Sequence, residues 1–327
     1  MVFEAMARQV AEPLVSVALC VHNGAGFLRE QIESVLAQSE PRLEVIALDD
    51  ASTDGSLALL HEYAARDARV RVISNPHNLG PSPSFERAMA LGTAPFIAPC
   101  DQDDIWHPHK LARLLASIGA HDLAYADSAY IDERGRSLGR SISDDLDMLS
   151  GRGALRFAFA NTVSGHAALL RRDLFEAARP FPPELFHDWW LALVAAARNG
   201  LVYLDEPLVR FRRHDGALTA LGRDRQRSLA ATRSWLAQCR GMLAALSART
   251  GDERHAAARL LTALDLALVG GSRWPLLGEI WRSRRALAPR PHAAIAHAIG
   301  LQQRVLRRLR RVTRDEPDAF LHRIAWR

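Results

Sequence analysis

Lysine is almost missing from this chain: Lys110 stands alone against 41 arginines, a bias we assign to genome composition rather than to function. Cysteine is scarce too. Cys20, Cys100 and Cys239 are odd in number, far apart and without metal-ligand spacing. That pattern excludes a disulfide framework and fits a reducing, cytosolic setting. No apolar run approaches the roughly 18 residues of a membrane-spanning helix. Glu4 and Glu12 lie near the start, with no basic leader ahead of an apolar block, so no signal peptide is expected. Gly-x-Gly-x-x-Gly is missing, and so is Gly-x-x-x-x-Gly-Lys-Ser/Thr. The phosphate cradles of dinucleotide enzymes and P-loop NTPases are thereby excluded.

What is present is a large apolar complement and a lopsided charge. The chain has 327 residues, of which 48% are hydrophobic, enough for a sizeable core. Residues 1–219 carry 20 arginines and the lysine against 29 carboxylates, a net −8; residues 220–327 carry 21 arginines against 8 carboxylates, a net +13. We therefore expect two units, 1–219 and 220–327, the second basic and facing an anionic partner. Nucleic acid is excluded, because the basic part has neither interleaved aromatics nor a DNA-reading motif.

The first unit alternates strands and helices. Leu14–Cys20, Leu43–Leu48, Val70–Ser74, Pro95–Ala98 and Leu123–Ala126 read as strands. Phe27–Gln38, Ser56–Ala65 and Phe85–Leu91 have helical spacing. This order predicts parallel βαβ units in an α/β fold. Three of the strands end in polar turns on one sheet edge, where α/β proteins bind ligands. The most acidic is Asp101-Gln102-Asp103-Asp104. Carboxylates crowded this closely repel and call for a cation. With no glycine cradle available, a hard divalent metal carrying a nucleotide diphosphate is the expected partner.

Four motifs carry a resemblance: Val21-His22-Asn23-Gly24, Asp49-Asp50-Ala51-Ser52-Thr53-Asp54-Gly55, Asn78-Leu79-Gly80 and Asp101-Gln102-Asp103-Asp104-Ile105-Trp106. Over residues 14–219 the chain resembles the family 2 glycosyltransferases of GT-A fold, most of all the rhamnosyltransferase-type members. The resemblance implies a Rossmann-like, mostly parallel sheet flanked by helices, with an all-helical C-terminal extension. It implies that His22, Asn23, Asp50 and Asp101 hold the nucleotide, Asp50 accepting a pyrimidine imide N–H. The metal, Mg²⁺ or Mn²⁺, would sit on Asp103 and Asp101.

Two further segments match the family. In Phe186-His187-Asp188-Trp189-Trp190, Asp188 takes the place of the general base, and Trp189 and Trp190 would stack on sugar faces. In Phe211-Arg212-Arg213-His214, Arg212 would grip the diphosphate and His214 the metal or a phosphate; Ala217 departs from the family's Asn. His166 is left open between site and packing. Ile142–Leu149 reads as a flexible loop.

From Arg223 on, Leu229–Leu246, His255–Val269, Leu276–Leu287 and Ala293–Val312 read as helices. Gln302–Arg314 reads either as an amphipathic helix on an anionic membrane or as a basic face packing its Leu stripe inward. The resemblance implies an inverting, metal-dependent transferase using a dTDP- or UDP-sugar, with rhamnose or a similar sugar. The acceptor would be a saccharide or lipid-linked saccharide at the cytoplasmic face of the membrane. The alternative is a non-catalytic sugar-nucleotide or glycan-binding module.

Overall fold

The computed structural model describes residues 12–214, 225–249 and 251–315. Within them lies a nine-stranded sheet. Its strands are β1 (Val15–Val21), β2 (Leu43–Asp49), β3 (Val70–Ser74), β4 (Phe96–Cys100), β5 (Ile105–Trp106), β6 (Leu123–Ile131), β7 (Ser137–Ser141), β8 (Ala168–Arg171) and β9 (Leu201–Arg212). They run in the order β3-β2-β1-β4-β8-β6-β9-β5, and β7 pairs with β6 off that path.

The first four strands pair in parallel. Both faces of this part are covered, which is why β1 and β2 are apolar apart from Ser16, Glu44 and Asp49. Val15, Val17, Leu19 and Val21 point to one face, under α1 (Leu28–Leu36), α2 (Ser56–Arg66) and α4 (Lys110–Ser117). Ala18, Ile46 and Leu48 point to the other, under α3 (Pro81–Leu91), α5 (Arg172–Ala178) and α6 (His187–Ala197). Strand order reverses at β1, which lies between β2 and β4. Val21 pairs with Asp49, and Leu19 with Cys100. The turns beginning at His22, Asp50 and Asp101 therefore leave the sheet side by side, outside the strands' carboxyl ends.

Beyond β4 the sheet is mixed. β8 runs antiparallel to β4 and β6, while β9 runs parallel to β6 and antiparallel to β5. Two expectations change, and one left open is decided. The segment taken as a flexible loop holds a 3-10 turn, Ile142–Asp144, closed by a Ser141–Asp144 capping box. Both its ends, Ile142 and Leu149, are buried. The third helix begins four residues early, because Pro81 suits the first helical position and Gly80 supplies the φ of +82° before it.

The reading left open concerns the basic end. The helices there are α7 (Arg225–Ala248), α8 (Arg254–Leu268), α9 (Trp274–Arg282), α10 (Arg284–Leu287) and α11 (Ala294–Asp315). Leu301, Val305, Leu309 and Val312 of α11 are buried in the larger core, alongside Leu236, Met242, Leu260 and Leu185. The apolar stripe of Gln302–Arg314 thus packs on the protein and is not available to a bilayer. Among the described residues, no helix is long and apolar enough to cross a membrane.

Candidate active site

The nucleotide end is built by the turns after β1 and β2. His22 Nδ1 lies 2.8 Å from the Asp50 carbonyl, which assigns it the proton. Nε2 then accepts from the side-chain amides of Asn23 (3.2 Å) and Asn78 (3.1 Å). Asn23 takes a φ of +52°, a conformation that Asn tolerates better than most residues. Its Oδ1 accepts the Thr53 N–H at 2.8 Å, so the two turns are stapled together. Asp50 is buried. Its Oδ1 accepts from Leu79 N (2.9 Å) and Asn75 Nδ2 (2.6 Å), and its Oδ2 from Gly80 N (2.9 Å). A carboxylate has about four acceptor positions, so Oδ2 retains room for one donor such as an imide N–H.

Behind β4 the three carboxylates divide into two groups. Asp103 Oδ2 lies 2.9 Å from His214 Nε2. Asp101 Oδ2 and Asp104 Oδ2 lie 3.6 and 3.4 Å from His166 Nδ1. His166 is buried, its Nε2 held by Ser128 Oγ at 3.0 Å. Burial raises the Asp103 carboxyl, and the Asp101 charge raises it further. Asp104 is pushed up to about 7, chiefly by burial and then by its two acidic neighbours, against the pull of His166. Burial alone would raise Asp101, but the neighbouring His166 carries it below the ordinary range.

This donor set fits a divalent cation. Asp104 Oδ2 is buried without a hydrogen bond among the described residues. One ligand atom each from Asp101, Asp104 and His166 lies within 4.8 Å of the others. Sequence reasoning joined His214 to Asp101 and Asp103. The structure puts His214 beside Asp103 alone and brings Asp101 to Asp104 and His166. The Asp-Gln-Asp-Asp run gave the signal for Asp104, but nothing local identified His166 as its neighbour.

The loop is braced from behind. Gln102 holds both polar groups of the His22 peptide. Lys110 is buried, with Nζ 3.1 Å above the Trp106 ring and 2.5 Å from the His166 carbonyl. Burial pulls this amine down to about 7, against the anionic fields of Asp104 and Asp101.

Arg212, expected on a phosphate, faces inward and is 2% exposed. Its backbone N–H donates to Asp104 Oδ1 (3.0 Å), Nε to the Asp103 carbonyl (2.9 Å), Nη1 to the Glu133 carbonyl (2.7 Å) and Nη2 to Glu30 (2.5 Å). Its guanidinium carbon also sits 4.8 Å over Phe27. As the last residue of β9 it is turned onto the acidic loop, so it acts as that loop's anchor. His214 is largely buried beside it. Ala217 lies outside the described residues.

Asp188 occupies the first turn of α6, where the helix dipole favours a negative charge. Its Oδ1 accepts the Trp189 N–H at 2.6 Å. Burial nevertheless raises its carboxyl above the ordinary range, with His187 opposing and Asp101 adding to the rise. A Cβ on Gly165 would lie 3.4 Å from Asp188 Cβ. The segment bearing His166 therefore packs on the start of α6, and Asp188 lies within reach of the Asp101 charge. His187 stacks on Phe85 with ring centroids 4.0 Å apart.

Trp189 and Trp190 do not offer faces to a sugar. Both are buried, and their indole N–H groups donate to the Phe157 (2.6 Å) and Ala178 (2.8 Å) carbonyls. The open aromatic is Phe186, 50% exposed and two residues before Asp188. One supporting residue lay beyond sequence reasoning. Gln238 of α7 accepts the Phe186 N–H (2.8 Å) and donates to the Glu184 carbonyl (2.5 Å), so the basic helices hold the entry to α6.

Comparison with known proteins bears on the family and the fold. Residues 16–178 match the sequence profile described as Glycosyl transferase family 2. The putative teichuronic acid biosynthesis glycosyltransferase TuaG of Bacillus subtilis (strain 168) is 32% identical over 119 residues, covering 36% of this chain and 47% of that protein. The putative glycosyltransferase EpsE of the same organism is 37% identical over 110 residues, covering 33% of this chain and 40% of that one. The chain thus spans less than half the length of these curated relatives. In structure it resembles S. aureus TarS 1–349 in complex with UDP-GlcNAc, with TM-score 0.59 and 16% identity over 90% of this chain and 91% of that one. It also resembles the mannosyltransferase PcManGT of Pyrobaculum calidifontis in complex with GDP-Man and Mn²⁺, with TM-score 0.56 and 16% identity over 93% and 88% of the two chains. At such identity these two establish the fold, which is GT-A. Profile, curated relatives and fold together place the chain among the family 2 glycosyltransferases.

Proposed function

We propose that the protein is an inverting glycosyltransferase that moves a sugar from a nucleotide diphosphate to an acceptor hydroxyl in cell-surface polysaccharide synthesis. The observation that carries this reading is Asp188, a carboxylate of raised proton affinity at the start of α6, packed against the segment that brings His166 to the acidic cluster. His22, Asn23 and Asp50 hold the base and ribose, with Asp101 at the sugar end. A divalent cation on Asp101 and Asp103, with His214, Asp104 and His166 as neighbouring donors, would neutralise the diphosphate as it leaves.

Asp188 takes the acceptor's proton. The acceptor oxygen bonds to the anomeric carbon as the bond from that carbon to the phosphate oxygen breaks, and the electron pair leaves on the diphosphate. A base positioned in this way typically contributes about 10²–10⁴-fold. Residues 1–219 carry these steps and 220–327 support them. We further infer that the donor is dTDP-rhamnose or a UDP-sugar. The acceptor is a saccharide or lipid-linked saccharide, and the cationic helices keep the protein peripheral on the cytoplasmic face of the membrane.

The test is a panel of dTDP-, UDP- and GDP-sugars with Mn²⁺ or Mg²⁺, following nucleotide release on adding acceptor. Transfer by the wild type, with donor binding but no transfer by Asp188→Asn, supports the reading. Equal turnover by both overturns it. Donor binding without turnover in either would favour a binding module.

A further inference from the structure

With the α11 stripe buried, a different apolar surface remains outside. Ten large apolar side chains are exposed among the described residues, and six of them fall between Leu266 and Ile299. Trp274 is 79% exposed and Trp281 41%. Trp274, Gly278, Trp281 and Arg285 are spaced by four, three and four residues, which is one face of a helix. Hydrogen bonds from Ser283 N to the Glu279 carbonyl and from Leu287 N to the Ser283 carbonyl join the end of α9 to α10 across the turn at Ser283. The opposite side of α9 buries Leu276 and Ile280.

Ile295 and Ile299, one turn apart at the start of α11, are also exposed. That helix packs on α9, where Gln302 Nε2 donates to the Leu277 carbonyl at 2.8 Å. The charge around this surface is mostly positive. Residues 266–299 contain five arginines and one carboxylate, Glu279. Glu279 is already engaged by Arg259 at 2.9 Å and by Arg282 at 3.6 Å. The Arg284 guanidinium lies 5.0 Å over the Trp281 ring.

Indole rings beside arginines, on a helix whose other side is packed, match the chemistry of a bilayer interface. Tryptophan settles at headgroup depth and arginine pairs with anionic lipid. A second copy fits poorly, because a two-fold contact sets each patch against itself and would face arginines with arginines.

We propose that this face of α9 and α10, with Trp274, Trp281, Arg282 and Arg285 at its centre and Ile295 and Ile299 beside it, seats the protein on an anionic lipid bilayer. The proposal deepens the peripheral attachment given above and rests on it for purpose, since a seated enzyme would meet lipid-linked acceptors. The binding itself needs no sugar transfer.

The test is flotation of the full chain with phosphatidylcholine vesicles, pure or containing about 30 mol% phosphatidylglycerol, a composition that supplies the anionic surface arginines respond to. The wild type should float with the anionic vesicles and stay behind with the neutral ones. Trp274→Ser/Trp281→Ser should lower the bound fraction at least tenfold, and Arg282→Gln/Arg285→Gln should remove the preference for anionic lipid. These side chains are exposed, so the variants should keep the wild-type thermal transition and the wild-type rate on a soluble acceptor.

A wild type that stays behind with anionic vesicles would overturn the proposal, as would a Trp double variant that floats like the wild type. A dimer in light scattering that the Trp variants dissolve would overturn it in favour of self-association. Loss of flotation with transfer intact sinks only this proposal; flotation without any transfer sinks the catalytic reading instead.

Discussion

Gln102 grips the His22 peptide on both sides: its amide oxygen accepts the His22 N–H at 2.8 Å, and its amide nitrogen donates to the His22 carbonyl at 3.1 Å. The acidic loop and the nucleotide turn are thereby one unit. Gly24 makes the approach feasible, since a Cβ there would lie 2.3 Å from Gln102 Oε1. Gly24→Ala should cost about 1–3 kcal/mol, the range for overpacking. The same change should cost clearly less in a Gln102→Ala background, where the clash is gone. Urea unfolding of the four proteins closes this cycle; purely additive losses would show that the two residues do not interact.

Asp188 should set the acid limb of the pH–rate profile. A base works only when unprotonated, and burial raises this carboxyl. Activity should therefore fall, as pH drops, through an apparent pKa above the ordinary carboxylate range near 4. Asp188→Asn should lower kcat by about 10²–10⁴-fold, with nucleotide binding by calorimetry unchanged.

Gln238 should act through Asp188. Its amide fixes the strand of chain that enters α6. Gln238→Ala should lower kcat several-fold while the donor KM stays put, and should cost about 1–2 kcal/mol of stability for its lost bonds. Measuring the pH–rate profile beside kcat, donor KM and thermal midpoint separates this from a loss of folded protein alone, which would scale kcat without moving the acid limb.

The acidic cluster should respond to metal. Chelation is expected to abolish transfer, and Mn²⁺ to restore it. A cation present at about 100 times its dissociation constant adds about 2.7 kcal/mol to folding stability, so Mn²⁺ should raise the thermal midpoint of the wild type. Asp101 neighbours both carboxylate groups, so Asp101→Asn should remove most of that rise.

Trp190 should matter to folding and little to substrate. Trp190→Phe leaves the Ala178 carbonyl without its 2.8 Å partner, a loss of about 1–3 kcal/mol for a buried polar group. Denaturant midpoints should fall while acceptor KM holds; a raised KM at unchanged stability would return the ring to the sugar.

The first half of the sheet could be read from the sequence because each parallel strand there is an apolar run that stops at a turn. Ile105–Trp106 could not. Two residues carry no period, and β5 exists only because Arg210 and Val209 lie opposite it. The same holds for side chains of double meaning. A Trp-Trp pair fits a core as well as a sugar platform, and an Arg at a strand end can face phosphate or protein. For Trp189, Trp190 and Arg212 the surrounding packing decided, and packing is not local in sequence. His166 became part of the acidic cluster through β8, whose antiparallel pairing with β4 and β6 left no local sign in its four residues.

The burial of Lys110 has a practical consequence. It is the only lysine in the chain, and its side chain is 0% exposed. An acylating reagent that seeks side-chain amines finds none on the folded surface. Tagging of that ammonium has to wait until the floor under the acidic loop opens, so its rate becomes a clock for local opening. Donor or metal bound above that floor should slow the clock, giving a readout of occupancy in which no sugar is transferred.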